Sequence, residues 1–284
     1  MCYLPLHLVR VVYLNDVLET GSLPHTETGV YDKFMLYTLL HDIRRGSQSS
    51  EEQLSDVKQL HPEKLKVFRN ICSLAFSATV QSEQIFSRKD VERVLGSTEF
   101  SLESLGLLTE DKLFCELGLE ETYSFAHLTF QEFLAAYHLT ELPAAEQIEA
   151  VKEYVGEKHM GVVWKFYCGL TTLTGNVAMD VFRVLLQLDE FNLLLLIHSI
   201  HESQNPIACC ELISSRNGVL CITDEVLTSA DMLAVAYCLR NASTSLTELS
   251  FQSCYLDRED LQVLTSECSY PLMNITCLRC VVQK

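Results

Sequence analysis

The stretch YSFAHLTFQEFLAAYHLTEL, Tyr123 to Leu142, decides how the chain reads. From Tyr123 to His127 the side chains alternate. Tyr123, Phe125 and His127 share one face and Ser124 and Ala126 the other, which is the period of a strand. After His127 the period lengthens. Phe130, Phe133, Leu134 and Tyr137 recur at the i, i+3, i+4, i+7 spacing of one helix face. Thr129 followed by Glu132 is spaced as a capping box, each side chain satisfying a backbone N–H that the first helical turn leaves orphaned. His127 is thereby predicted at a strand end, just before the positive end of a helix. Backbone donors and the dipole there favour an anion such as a phosphate. An imidazole adds one more donor. On spacing alone the plainer reading is a junction side chain satisfied by its own neighbours, and the anion-binding one stays open beside it.

Composition sets the bounds. The 284 residues are enough for one large domain or two to three small ones with ample core. With 48% hydrophobic and 21% charged residues, the chain is ordinary globular material. A net charge of −17 argues against a nucleic-acid footprint and against docking on anionic membranes. The twelve cysteines are scattered, several of them inside apolar patterns, as Cys168 and Cys238 are. Buried thiols in a reducing cytoplasm account for them better than a disulfide scaffold does. No segment reaches the about eighteen apolar residues of a membrane span. The apolar first fourteen residues lack a basic leader and a small-residue cleavage site, so they do not read as a signal peptide. The sequons at Asn241 and Asn274 therefore carry no weight.

Taken in order, MCYLPLHLVRVVYL is an apolar helix with Pro5 near its start, where proline is tolerated. GSLPHTETGVY, residues 21–31, is punctuated as a loop, and Tyr31 to Arg44 follows as a helix with Phe34, Leu36, Leu39 and Leu40 toward the core. Gly46 to Glu52 is a polar connector. Leu65 to Ala78 is an apolar helix, and Arg88 to Leu95 is a short one after Phe86-Ser87. SLESLGLL, residues 101–108, leads to a strand at Leu113 to Leu117, which pairs with Tyr123 to His127 as a hairpin. Helices followed by such a hairpin make a winged helix, a fold that often reads DNA. Here the recognition helix offers Arg88, Lys89 and Arg93 offset by Asp90 and Glu92, in an acidic chain, which argues against nucleic acid.

Glu146 to Gly175 reads as helical, with Val163, Phe166, Tyr167, Leu170 and Leu173 as a core stripe and Trp164 among them. Val177 to Ile200 adds two apolar helices. His198, His201 and Glu202 invite a metal, but the H-E-x-x-H spacing is missing, since position 205 is Asn. The last seventy or so residues repeat. Leu220 and Ile222 recur as Leu249 and Phe251 and again as Leu278 and Cys280, a step of 29 each time. Leu227 maps to Leu256, Asp231 to Asp260, Met232 to Leu261 and Val235 to Leu264. L-x-x-L-x-F-x-x-C-x-L, Leu246 to Leu256, fits a leucine-rich repeat of short strand and helix, each repeat burying its apolar face against its neighbours. Cys277-x-x-Cys280 lacks a second pair, and in that register Cys280 falls on a core position, so neither zinc nor redox chemistry is assigned to it. The sequence holds no G-x-x-x-x-G-K-[ST], no acidic Walker B strand, no G-x-S-x-G and no Rossmann fingerprint, so the chain by itself is expected not to be an enzyme. An uncapped apolar start and an end just past the third repeat strand lead us to expect a fragment or a truncated product.

F-x-H-L-x-F-Q-E-F-L-A-A-x-H-L, from Phe125, resembles the end of the winged-helix domain in the NACHT-type nucleotide switches, the NOD-like receptors. The C-x-x-P-L of Cys2 to Leu6 resembles their first helical domain. Leu23, Pro24, Thr26, Thr28 and Tyr31 match their L-P-x-T-x-T-E-L-Y, with Gly29-Val30 in place of Glu-Leu. V-V-W-K-F-Y-C-G-L, residues 162–170, is similar to their second helical domain. The resemblance implies a mainly α fold: residues 1–22 end the first helical domain, 23–142 form the winged helix, 143–212 the second helical domain, and 213–284 incomplete α/β leucine-rich repeats. It implies the regulatory and sensor portion of a cytoplasmic innate immune receptor, autoinhibiting a nucleotide-dependent signalling switch. In that family His127 would contact the β-phosphate of ADP and Pro5 the adenine. ADP or ATP would bind only where the missing nucleotide-binding part is present. Protein partners would engage the repeats and helical domains, and the intact receptor would oligomerise. The alternative expectation is a stand-alone repeat scaffold without nucleotide switching.

Overall fold

The computed structural model describes residues 24–46, 57, 61–95, 107–115, 118–187, 192–242, 246–267, 275–278 and 280–283. The described residues are mainly helical with three small sheets. The chain divides into two compact units, with boundaries at Leu142/Pro143, Glu157/Lys158 and Tyr167/Cys168. Pro5, the 1–22 segment and most of the polar connector lie outside the described residues.

The first unit is built from α1 (Glu27–Gly46), α2 (Pro62–Val80), β1 (Phe86–Ser87), α3 (Arg88–Leu95), β2 (Leu108–Cys115), β3 (Gly118–Phe125) and α4 (Leu128–Glu141). Lys158–Tyr167 rejoins it from later in the chain. Pro62 opens α2 at the position where its missing N–H costs nothing. At the far end Ser82 takes the left-handed φ of 56°, so that its N–H and that of Glu83 return to the carbonyls of Thr79 and Ala78. That is a Schellman close without a glycine. The sheet has the order β1-β3-β2 and is antiparallel throughout, with Phe86 opposite Tyr123 and Leu108 opposite Phe125.

Three expectations change here. The strand ends at Phe125, and the hairpin partner begins at Leu108 rather than Leu113. Helix α1 begins at Glu27, inside the stretch expected as loop, because Gly29 lets Pro24 pack on its first turn. A Cβ at Gly29 would stand 2.9 Å from the Pro24 Cβ. Finally, α4 is not amphipathic. Besides Phe130, Phe133, Leu134 and Tyr137, it buries Gln131, Glu132, Ala135, Ala136 and Leu139. It is the central helix of this unit. Phe68 of α2 meets Tyr137 edge-on at 5.1 Å between ring centroids, and Tyr31 packs on Phe130, Phe133 and Phe166 at 5.1–5.8 Å. Gln131 sits within this core because its amide donates to Thr79 Oγ1 (3.3 Å) and the Glu83 carbonyl (2.8 Å).

The second unit carries α5 (Ala144–Tyr154), the end of α6 (Gly161–Thr171), α7 (Asn176–Gln187), α8 (Leu193–Ser203) and α9 (Pro206–Ser215). The continuous helix expected over 146–175 is broken by Gly156 and a 3₁₀ turn at Lys158–Met160, so α5 and α6 are separate helices. Asn192 and Asn205 cap α8 and α9 through their side chains. Then β4 (Val219–Thr223), α10 (Ser229–Asn241), β5 (Glu248–Gln252), β6 (Tyr255–Asp257), α11 (Arg258–Glu267), β7 (Ile275–Leu278) and β8 (Val281–Gln283) follow. Strands β4, β5 and β7 form a parallel sheet in sequence order, and β6 pairs in parallel with β8. Leu220, Ile222, Leu249, Phe251, Met232, Val235 and Leu264 are all buried.

The first step of the repeat is 29 residues: Leu220 pairs with Leu249 and Ile222 with Phe251. The second is not. Leu249 pairs with Ile275 and Phe251 with Cys277, a step of 26. Cys280 therefore takes the place of Cys254 instead of that of Phe251. The thiols confirm this equivalence: Cys254 donates to the Ile222 carbonyl at 3.4 Å, and Cys280 to the Phe251 carbonyl at 3.2 Å. The sequence alignment at a constant step is broken by a connection three residues shorter, from 29 to 26.

Candidate functional site

The site expected around His127 forms where β3 ends and α4 begins. His127 is extended (φ −158°, ψ 148°) and is itself the N-cap of α4. Its Nδ1 accepts from the backbone N–H of Thr129 at 3.3 Å and lies 2.8 Å from Thr129 Oγ1. Thr129 Oγ1 in turn meets the Tyr31 hydroxyl, which reaches over from α1. The capping box expected from Thr129 and Glu132 is not made. Thr129 stands inside the helix with its hydroxyl committed to His127 and Tyr31, and Glu132 points into the core. A histidine ring does what the Thr–Glu pair was expected to do.

Glu132 is buried, 8% exposed, on the face of α4 that also carries Thr129. Burial pushes its carboxyl up to about 7; the nearby Glu27 carboxylate adds to the rise, and Lys165 opposes it. Lys165 of α6 is paired with Glu27 of α1 at 2.7 Å and lies 5.1 Å from the centre of the Phe166 ring. The half-buried Lys165 ammonium is thus paired with Glu27 and acts on Glu132 only through its field.

Tyr31, Glu27 and Lys165 were not legible as site residues. Tyr31 bonds across 98 positions and Lys165 across 138, and no local period encodes such a contact. The one signal present is that Tyr31 closes the L-P-x-T segment and Thr129 lies inside the decisive stretch.

The other candidate residues fall elsewhere. His198 Nε2 meets Asp231 Oδ1 at 2.6 Å, and the His201 ring stands edge-on to Tyr237 at 5.4 Å. Among the described residues no group of three or more His, Cys, Asp or Glu side chains is placed to hold a metal ion. Arg88 binds Glu92 (2.8 Å) and Glu121 (2.5 Å), and Arg93 binds Asp90 (3.1 Å), so those cations are spent on carboxylates of the same unit. Cys277 is exposed on β7 and Cys280 is half-buried. No helix among the described residues is long and apolar enough to cross a membrane. Compared with known proteins, the chain matches no described family, and no curated protein matches it.

Proposed function

We propose that this chain is the regulatory and sensor portion of a NOD-like innate immune receptor, and that it holds a nucleotide-dependent switch in its closed state. The observation that carries the reading is His127 itself. It lies in the F-x-H-L-x-F-Q-E-F-L-A-A-x-H-L stretch and caps the first turn of a buried helix, where N–H groups and the dipole favour a phosphate. Helices α2 and α3, with β1 between them and the β2–β3 hairpin after them, support a winged helix. Parallel β4-β5-β7, with helices between and steps of 29 and 26, supports leucine-rich repeats.

In this reading His127 donates to the β-phosphate of ADP and Pro5 packs on its adenine, both toward a nucleotide-binding part that these residues do not include. The chain alone turns over no substrate. Protein partners engage the repeats and helical domains in the cytoplasm. A ligand there opens the switch only through a higher affinity for the open state, and the opened receptor oligomerises. In a receptor carrying the nucleotide part, His127→Ala is expected to speed ADP release and raise basal signalling. Unchanged nucleotide occupancy would overturn the assignment. A second reading, a stand-alone repeat scaffold, draws on the missing phosphate loop in the sequence, and it requires that no form of the protein bind ADP.

A further inference from the structure

We infer that Thr129, through its backbone N–H and through a hydroxyl held by Tyr31, is the positioning residue that keeps Nδ1 of His127 an acceptor and its proton on Nε2. The chain of donors permits one arrangement. A backbone N–H can only donate, so Nδ1, which faces the Thr129 N–H at 3.3 Å, must be an unprotonated acceptor. The 2.8 Å contact between Nδ1 and Thr129 Oγ1 needs one hydrogen, and Nδ1 has none to give, so the threonine hydroxyl supplies it. That hydroxyl then has no hydrogen left for Tyr31, and the Tyr31 hydroxyl donates to Thr129 Oγ1. Protons therefore run from Tyr31 to Thr129 to His127, and the neutral ring carries its own on Nε2. A doubly protonated ring would turn an N–H toward the N–H it now caps, and a ring protonated only on Nδ1 would do the same.

The consequence is that α1 has a say in how His127 presents itself. Tyr31 is fully buried against Phe130, Phe133 and Phe166, so its hydroxyl is held where the aromatic packing puts it. Glu27, one turn earlier on the same helix, is tied to Lys165. While α1 keeps this seat, His127 is a fixed Nε2–H donor with a committed Nδ1. When α1 leaves it, the threonine hydroxyl loses its donor and can turn away from the ring. The inference deepens the reading of His127 as a phosphate donor and rests on that reading for its purpose, though its geometry does not depend on any nucleotide.

The test is nitrogen NMR of the full chain with ¹⁵N-labelled histidine rings, His127 being assigned by the signal lost in His127→Asn. In the unaltered protein the ring is expected as one tautomer, with a bonded proton on Nε2 and an acceptor-type Nδ1. Thr129→Val keeps the branched shape and the backbone N–H but removes the hydroxyl, and it should shift Nδ1, which loses its shorter partner, while the proton stays on Nε2. Thr129→Ser should restore the original pattern. Tyr31→Phe, which keeps the ring stack, should shift Nδ1 in the same direction as Thr129→Val and by less. A protonated Nδ1 in the unaltered protein, or no change in Thr129→Val, would overturn the inference. ADP release from the intact receptor is measured separately. If Thr129→Val moves the ring signals while ADP release is unchanged, the positioning role stands and the nucleotide reading of His127 falls.

Discussion

Two helices in this molecule begin with the same written signal and end it differently. In the first unit, Thr129 and Glu132 stand three apart at the start of α4. In the second, Thr228 and Asp231 stand three apart at the start of α10. Only the second pair closes a capping box: Thr228 Oγ1 faces the Asp231 N–H at 3.4 Å, and Asp231 Oδ2 accepts from the Thr228 N–H at 2.7 Å. The following repeat does it again, with Asp257 and Asp260 exchanging backbone N–H bonds at 3.0 and 2.8 Å. In α4 the cap has passed to a histidine, and the acid of the pattern lies buried in the core. Burial alone does not decide between the two outcomes, since Asp260 is 3% exposed and Glu132 8%; the boxes form where the acid's carboxylate is turned back onto the N-cap backbone N–H. In α4 the Thr129 hydroxyl is instead held by His127 and Tyr31, whereas Asp231 keeps its box while also binding His198.

The two acids should therefore respond to pH with opposite sign, and the largest expected effect is at Glu132. Its carboxyl rises from 4.5 to about 7. The folded state thus holds a proton that the unfolded state has already released, and stability falls as pH climbs through that window. At about 1.36 kcal/mol per pH unit, the penalty at pH 8 is about 3 kcal/mol. Glu132→Gln should be more stable than the parent by up to that amount at pH 8 and equal to it near pH 4.5. Chaotrope unfolding at the two pH values measures this, and a constant difference would mean that Glu132 is not the group titrating.

At Asp231 burial works to raise the carboxyl, but hydrogen bonds from His198 and Thr228 outweigh it and hold it below its ordinary range. This contribution is present above the ordinary carboxyl pKa and is lost as the solution is acidified through the lower folded value. Thr228→Ala removes the cap hydroxyl and should cost about 1 kcal/mol at neutral pH. Thermal unfolding checks it, and a cost near zero would place the strength of the α10 start elsewhere.

The smallest effect tests the seat of α1. In an unobstructed helix Gly29→Ala would gain up to about 1 kcal/mol. Here the new Cβ meets Pro24 Cβ at 2.9 Å and Thr26 Oγ1 at 3.1 Å. A net loss of about 0.5 kcal/mol is expected once this crowding is set against the propensity gain. A net gain would show that Pro24 moves aside freely.

Much of this architecture was written in the chain. Periodicity placed the helix after His127, the short helix Arg88–Leu95 and the two apolar helices after Val177, because each rests on its own run of apolar residues. The repeat was visible because Leu, Ile, Phe and Cys recur where strands stack. Its constant step of 29 was not real, since a connection can lose three residues without changing what the strands bury. The break at Gly156 was legible in principle and was overridden by the apolar stripes on either side of it. Around His127, the sequence indicated the junction but not its partners.

The sequence by itself determined the order of the elements, the placement of His127 between a strand and a helix, and the acidic balance of the molecule. These follow from residue period, turn residues and charge, which act between near neighbours. Only the tertiary structure decided that α4 is buried along its length, that His127 and not Thr129 caps it, and that Glu132 lies buried within the field of the Lys165–Glu27 pair. Those outcomes depend on side chains brought together from positions 98 and 138 residues apart, where hydrogen bonding and the cost of burying charge are settled by packing and not by spacing along the chain.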